Sequence, residues 1–275
     1  MKVSAAIAAA AARFAAVSTT PRLDAELLMA RALGVPREAL LLGGLDRDAP
    51  PSFEPLVERR LAHEPVAYIT GRRAFWTIEL EVGPGVLIPR SDSETLIEAA
   101  VGRFGEAGPA RVLDLGTGPG TLLLAALDQW PAAIGLGVDS SEAALGFARR
   151  NAERLGLAAR AAFHAGNWAE DVDERFDLVL CNPPYVEAGA ALAPEVAGWE
   201  PAEGLYAGPD GLDAFRALAP RLLPLLAPGG VACIEIGAGQ LARASAIFAS
   251  AGFTISSRND LNAVPRCLVL SLDRG

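Results

Sequence analysis

From Arg111 onward the chain alternates short apolar runs with longer amphipathic ones, and nothing else in the sequence constrains its fold as strongly. Strands are predicted at 111–115, 134–139, 160–164, 176–181, 231–236, 252–257 and 266–272, with helices between them at about 120–129, 141–156, 211–226 and 238–250. Parallel neighbours need a crossover connection, so repeated βα units give a doubly wound sheet with helices on both faces. In such a sheet, ligands bind beyond the carboxyl ends of the strands, where the strand order reverses. The residues just after each strand are therefore the first candidates for function.

The part before this alternation has a different character. The first 65 residues read as helices, with Leu23, Leu27, Leu28 and the run Ala30 to Leu33 at helical spacing. Thr20-Pro21 starts one helix, Gly34-Val35-Pro36 ends it, and Asp48 to Pro51 is a further break. Ala74 to Val82 alternates and is rich in β-formers, Gly83-Pro84-Gly85 turns, and Val86 to Ile88 returns, which is a hairpin pattern. One later stretch breaks the βα rhythm. Residues 183–210 are rich in proline and glycine without periodicity, and structureless loops of that length are usually functional.

Composition narrows the class of function. With 51% hydrophobic and 21% charged residues, the chain is not a disordered scaffold. Cys181, Cys233 and Cys267 are odd in number, lack a C-x-x-C pair and sit in apolar runs. This argues against a disulfide framework and a structural zinc site, and for buried thiols in a reducing cytoplasm. The net charge of −9 is uneven: residues 1–90 hold 11 basic and 10 acidic side chains, and the rest hold 13 and 23. So acidic a body disfavours non-specific nucleic-acid binding. No apolar run approaches the ~20 residues of a membrane span. The alanine run after Lys2 is broken by Arg13, so the start reads as a helix and not as a leader, and a cytoplasmic protein is expected.

Three strand ends carry candidate chemistry. After the first strand comes Asp114-Leu-Gly116-Thr117-Gly118-Pro119-Gly120, whose glycines permit a tight turn and close approach of a ligand to the backbone. Thr121 stands where a dinucleotide fingerprint needs glycine or alanine, and Pro119 removes a donor that a pyrophosphate would use. Asp139 closes the second strand, where a carboxylate can accept from ribose hydroxyls; it could equally serve the start of the next helix, at Ser140 or Ser141. Gly166-Asn167-Trp168 follows the third strand and suits an adenine, although alone it reads as ordinary loop. The sharpest signal is Asn182-Pro183-Pro184-Tyr185 after the fourth strand. The prolines stiffen the backbone, so the Asn182 side-chain oxygen and the Pro183 carbonyl are two fixed acceptors for the hydrogens of a planar NH2 group, and Tyr185 offers an aromatic face.

These motifs resemble the class I S-adenosylmethionine-dependent amino-methyltransferases. The wider pattern is similar to the release factor glutamine methyltransferases of the HemK/PrmC type: Arg22 to Leu28, Glu64 to Gly71, Phe75-Trp76, Leu87 to Leu96, Glu200-Pro201, Gly208 to Leu212, Glu235-Ile-Gly237 with Gln240, and Asp260-Leu261 to Arg266. The resemblance implies a class I, Rossmann-like α/β sheet of seven strands with one antiparallel near its end. It also implies a helical substrate-docking domain at 1–70, a β-hairpin linker at 71–90 and a catalytic domain at 91–275. It places Gly116, Thr117, Gly118, Pro119, Gly120, Asp139, Trp168 and Asn182 on S-adenosyl-L-methionine, and Asn182, Pro183, Pro184 and Tyr185 on the substrate glutamine. The partner implied is a peptide chain release factor, methylated at N5 of the glutamine in its Gly-Gly-Gln loop. No metal, direct nucleic-acid contact or membrane is implied, and a monomer is expected.

The chain departs from the family where Ser91, Ser93 and Pro119 stand for the usual proline, threonine and small polar residue, and where Asn262 to Pro265 replaces a glycine-containing turn. None of these touches a role given above to a side chain, and Pro119 bears only on the local backbone contacts. His63 and His164 lie far apart in sequence and read as structural or surface residues, and Glu142 and Glu153 read as solvated helix faces. Rival readings are a ribosomal-protein glutamine methyltransferase, a nucleic-acid adenine-N6 methyltransferase, and a non-catalytic module binding translation factors. A nicotinamide-dependent oxidoreductase fails on the glycine spacing.

Overall fold

Pro21 and Gly34 bracket a helix as their chemistry requires, with proline in the first turn and a left-handed glycine (φ 66°) closing the end. The computed structural model of the chain describes residues 1–170 and 172–272. Its first part holds α1 (Val3–Phe14), α2 (Pro21–Leu33), α3 (Arg37–Gly43), α4 (Phe53–Leu61) and α5 (Val66–Thr70). Ile7, Phe14, Leu28, Met29, Leu40 and Val57 pack together in their core. Leu23, at helical spacing with them, is exposed, because the buried stripe of α2 runs through Ala25, Leu28 and Met29 instead.

The predicted hairpin is present with a different turn. Ala74 to Val82 is not one strand but contains the bend: β1 (Arg72–Phe75) and β2 (Ile78–Glu81) meet at Trp76 and Thr77. Trp76 adopts φ 54°, its amide donates to Glu94 (2.9 Å) and its indole to Gln129 (3.0 Å). Those partners reverse the chain at Trp76 and Thr77, ahead of Gly83 to Gly85, and Val86 to Ile88 forms no strand.

After α6 (Glu94–Phe104) the alternation follows: β3 (Arg111–Leu115), α7 (Thr121–Gln129), β4 (Ile134–Asp139), α8 (Glu142–Arg154), β5 (Ala161–Ala165) and β6 (Phe176–Cys181). Then come α9 (Pro194–Ala197), α10 (Asp213–Leu222), β7 (Leu226–Glu235), α11 (Leu241–Ser250), β8 (Thr254–Asn259) and β9 (Pro265–Ser271). The seven strands β3–β9 form one sheet in the order β5-β4-β3-β6-β7-β9-β8, with β9 antiparallel to both neighbours. Leu113, Leu115, Val179, Cys181 and Ile234 on one face pack with Phe215 of α10 and Phe248 of α11. All three cysteines are buried thiols, and Glu142, Glu153 and His164 are exposed. Among the described residues, no helix is long and apolar enough to cross a membrane.

Several predicted boundaries shift, the strand expected over 231–236 running instead over Leu226–Glu235 and that over 252–257 over Thr254–Asn259. The helix expected over 211–226 stops at Leu222, since Pro224 has no N–H to give the Pro220 carbonyl, and β7 already begins at Leu226. The helix expected from 238 starts at Leu241, after Gly239 takes φ 81°. Residues 183–210 are not structureless throughout, for they hold α9, a 3-10 turn at Ala202–Gly204 and a bridge between Val186 and Tyr206.

The chain divides into two compact units: Met1–Arg72 with Leu192–Glu200, and Arg73–Ala191 with the chain from Pro201 onward. In the first, buried Arg60 reaches Asp24 (2.8 Å), Glu195 (2.6 Å) and the Val17 carbonyl (3.0 Å), so it holds α9 on the helices.

The β8–β9 turn carries Ala263 at φ 61° over an Asp260 side chain that accepts from the Asn262 and Val264 amides. A left-handed alanine is strained by roughly 1 kcal/mol, part of which glycine returns as extra freedom of the unfolded chain. Ala263→Gly is expected to raise the melting temperature by about 1–3 °C. Calorimetry showing no rise would mean that the turn carries no strain.

Candidate active site

Strand register brings the candidate residues together. β3 lies between β4 and β6, with Leu115 paired to Val138 on one side and to Cys181 on the other. Asp139 in turn pairs with Ala165 of β5. Gly116, Asn182, Asp139 and the loop bearing Trp168 thus leave the sheet along one edge. The strand order reverses between β3 and β6, which is where a doubly wound sheet opens a crevice.

The glycine turn is built from both sides. The Gly116 and Thr117 amides donate to the Val138 carbonyl (2.9 and 3.0 Å), and the Gly118 amide donates to Asp139 Oδ2 (2.8 Å). Gly116 has φ 72°, and a Cβ there would stand 3.7 Å from the Trp168 ring, on the floor of the cleft. Gly120 has φ 87°, and its Cβ would fall 2.7 Å from Leu124 Cδ1, so a side chain would wedge the turn off α7. Thr117 is buried, its hydroxyl donating to Asp114 Oδ2 (2.7 Å). Pro119 keeps its carbonyl in use, accepting from Asn151 Nδ2 (2.9 Å). Asn151 also exchanges two hydrogen bonds with the Glu81 backbone, tying the glycine turn to β2.

Asp139 serves the start of the next helix and the glycine turn together. Oδ1 accepts from the Ser141 amide (2.9 Å) and Oδ2 from Gly118, while Ser141, not Ser140, caps α8 by accepting from Ala144 (3.2 Å). One further lone pair on each oxygen is left for the cleft, which Asp139 lines. Trp168 also lines it, on a backbone at φ 56°. Such a conformation costs a non-glycine residue about 1–3 kcal/mol and clusters at binding sites. Asn167 turns its amide along the loop to Glu170 (3.0 Å).

Asn182 points its Nδ2 at the Ser93 hydroxyl (3.0 Å), which leaves Oδ1 as the free end of the amide. Pro183 is buried and Pro184 lines the cleft. The Tyr185 hydroxyl donates to Glu235 Oε1 (3.1 Å), and its carbonyl accepts from Gln240 (3.0 Å). Burial, with Glu235 beside it, raises the Tyr185 pKa, so the ring stays a neutral phenol. The cleft measures about 560 Å³, with Gly116, Gly118, Asp139, Trp168, Asn182 and Pro184 in its wall. A narrow arm of about 40 Å³ runs past Arg90, Ser93 and Asp114.

Sequence reasoning passed over four of these residues. Ser93, a departure from the family's usual threonine, holds Asn182. Asp114 is fully buried, its Oδ1 without a partner among the described residues, and burial lifts its carboxyl to about 7 against the hydrogen bonds from Thr117 and Leu123. Glu235 and Gln240 entered only through the family pattern. A carboxylate ending an apolar strand, as Glu235 does after Val231 to Ile234, is the one signal that could have marked it.

The cleft joins a glycine turn, an acid and an Asn-Pro-Pro-Tyr corner on one sheet edge. Residues 5–71 match the PrmC N-terminal domain and residues 108–245 match a methyltransferase domain. The release factor glutamine methyltransferase of Rhodospirillum rubrum is 43% identical over 90% of this chain and 78% of its own. That of Cereibacter sphaeroides is 41% identical over 97% of each. The chain belongs to the release factor glutamine methyltransferase family. Among solved structures, a ribosomal protein L11 methylase from Lactobacillus delbrueckii shares the fold, with a TM-score of 0.53 at 22% identity over 71% of this chain and 86% of that one. The class I methyltransferase sheet expected from the sequence is the one present. Family members are methyltransferases, so the cleft is the place to look for both donor and acceptor.

Proposed function

We propose that the chain transfers the methyl group of S-adenosyl-L-methionine to the side-chain amide nitrogen, N5, of the glutamine in the Gly-Gly-Gln motif of peptide chain release factors. One observation carries the reading: Asn182 spends its NH2 on Ser93 and turns its oxygen loose at the cleft. An amide nitrogen is a poor nucleophile because its lone pair is delocalised. Asn182 Oδ1 and the Pro183 carbonyl, each accepting one N–H, raise electron density on that nitrogen as charge develops, and Tyr185 packs its flat amide. Holding the nitrogen in line with the methyl–sulfur bond supplies the proximity contribution. The proton leaves late, to water.

The residues fit a donor of this kind. Bound S-adenosylmethionine supplies an electrophilic methyl on a sulfonium. Asp139 presents two lone pairs to ribose hydroxyls, Trp168 and Gly116 provide the flat wall and floor, and the orphaned Asp114 Oδ1 suits an ammonium group in the narrow arm. Gly116 to Gly120 and Asn182 complete the donor side.

Mass spectrometry of a purified release factor, incubated with the protein and donor, tests the proposal. A single added methyl on the glutamine of the Gly-Gly-Gln peptide is expected. No methyl there, with donor binding intact, would overturn it and make a ribosomal-protein glutamine, then an adenine N6, the next acceptors to try.

A further inference from the structure

Behind the Asn-Pro-Pro-Tyr corner lies a buried polar chain that the proposed reaction does not use directly. Glu235 ends β7 on the sheet face turned toward α6, fully buried. Its Oε1 accepts from the Tyr185 hydroxyl at 3.1 Å, the Ser93 hydroxyl also hydrogen-bonds to its carboxyl, and Oε2 has no partner among the described residues. Ser93 in turn accepts from Asn182 Nδ2.

We propose that Glu235 is a positioning residue for methyl transfer, which through the hydroxyls of Ser93 and Tyr185 fixes the Asn182 amide with its oxygen toward the acceptor and its NH2 away. This rests on the reading of Asn182 given above. The logic is donor counting. An ionised carboxylate only accepts, so Ser93 must spend its single proton on Glu235 and can offer Asn182 nothing but a lone pair. The amide is thereby committed to donating backward and accepting forward. Once Glu235 is protonated, it can donate to Ser93, whose own proton is then free to seek Asn182 Oδ1. The amide turned through 180° would set NH2 against NH2, and the grip on the acceptor would be lost. The partnerless Oε2 is where such a proton can settle.

The surroundings put this switch in the neutral range. Burial pushes the Glu235 carboxyl up to about 7, opposed by the hydrogen bonds from Ser93 and Tyr185 and by the Arg266 guanidinium on β9, while Asp92 pushes it further up. Arg266 itself is shared with Asp92 (3.1 Å) and Asp260 (3.3 Å). Cys267, opposite Glu235 in the register, and Cys181 at the end of β6 are thiols raised well above their ordinary value by burial, so they stay neutral. Arg90 is the remaining charge whose field reaches Tyr185. The ionised form is the competent one, so turnover should rise with pH through about 7.

The test uses the full chain with saturating donor and a release factor. Wild-type turnover between pH 5.5 and 8.5 is expected to follow one ionisation, and Glu235→Gln to flatten that limb. Ser93→Ala should lower turnover roughly 10- to 100-fold with donor affinity little changed, and Ser93→Thr, which keeps the hydroxyl, should recover most of it. A readout free of activity is the side-chain 15NH2 signal of Asn182, assigned by its loss in Asn182→Ala. It should shift with pH near 7 in wild type and stay still in Glu235→Gln. A limb that survives Glu235→Gln, or a Ser93→Ala enzyme with wild-type turnover, overturns the proposal. If wild type leaves the Gly-Gly-Gln glutamine unmethylated, the functional reading falls, and the Asn182 signal still decides whether Glu235 sets the amide.

Discussion

Replacing Asn182 by alanine is expected to lower turnover about 10²- to 10³-fold, the range seen when one preorganised hydrogen-bonding group is removed from a site of developing charge. The proposed reading gives the free oxygen of the side chain to the reacting nitrogen, so the loss should fall mainly on kcat. Its backward partner helps separate function from folding. Ser93 loses a donor in the variant, but its hydroxyl keeps Glu235, so the buried chain is shortened and not broken. Single-turnover kinetics with donor in excess, beside a melting curve, make the measurement. An Asn182→Ala enzyme within threefold of wild type would remove the gripping role and with it the observation on which the proposed acceptor rests.

Asp139→Ala should act on the donor instead. Charge-assisted hydrogen bonds are each worth about 1.5–3 kcal/mol, and the carboxylate holds the Gly118 and Ser141 amides besides what it offers a ribose. The variant therefore loses ligand contacts and loosens the turn that shapes the cleft floor. A dissociation constant for S-adenosylhomocysteine raised about 10²-fold is expected by titration calorimetry. Asp139→Asn keeps the shape and one acceptor, so a smaller loss, about tenfold, should follow. If both variants bind within twofold of wild type, Asp139 is only the link between the glycine turn and α8, and the ribose lies elsewhere.

What could be read from the sequence divides by the range of the interaction. β3, β4 and β6 are legible almost to the residue, because apolar runs bounded by glycine, aspartate or proline have few alternatives. The residues just beyond them follow, since the carboxyl ends of such strands must share an edge. The hairpin turn was misplaced because Trp76 reverses the chain on a bond to Glu94, a partner 18 positions away that local turn chemistry does not announce. Ser93 was overlooked for a similar reason. It precedes Asn182 by 89 positions, and only the packing of α6 beside β7 makes a small hydroxyl the backstop of the cleft. A short polar side chain gives no sign in sequence of which buried group it will complete.

The excursion of α9 has a bearing on how the molecule is made. Synthesis delivers residues 1–72 first, yet Arg60 among them finds Glu195 only after more than a hundred further residues have been added. Until then its guanidinium has Asp24 as its counter-charge. The helical unit is thus finished late, by a segment borrowed from the loop that follows the Asn-Pro-Pro-Tyr corner. Grafting it onto a relative would mean carrying two stretches of gene, and a cut after Arg72 would separate Arg60 from Glu195.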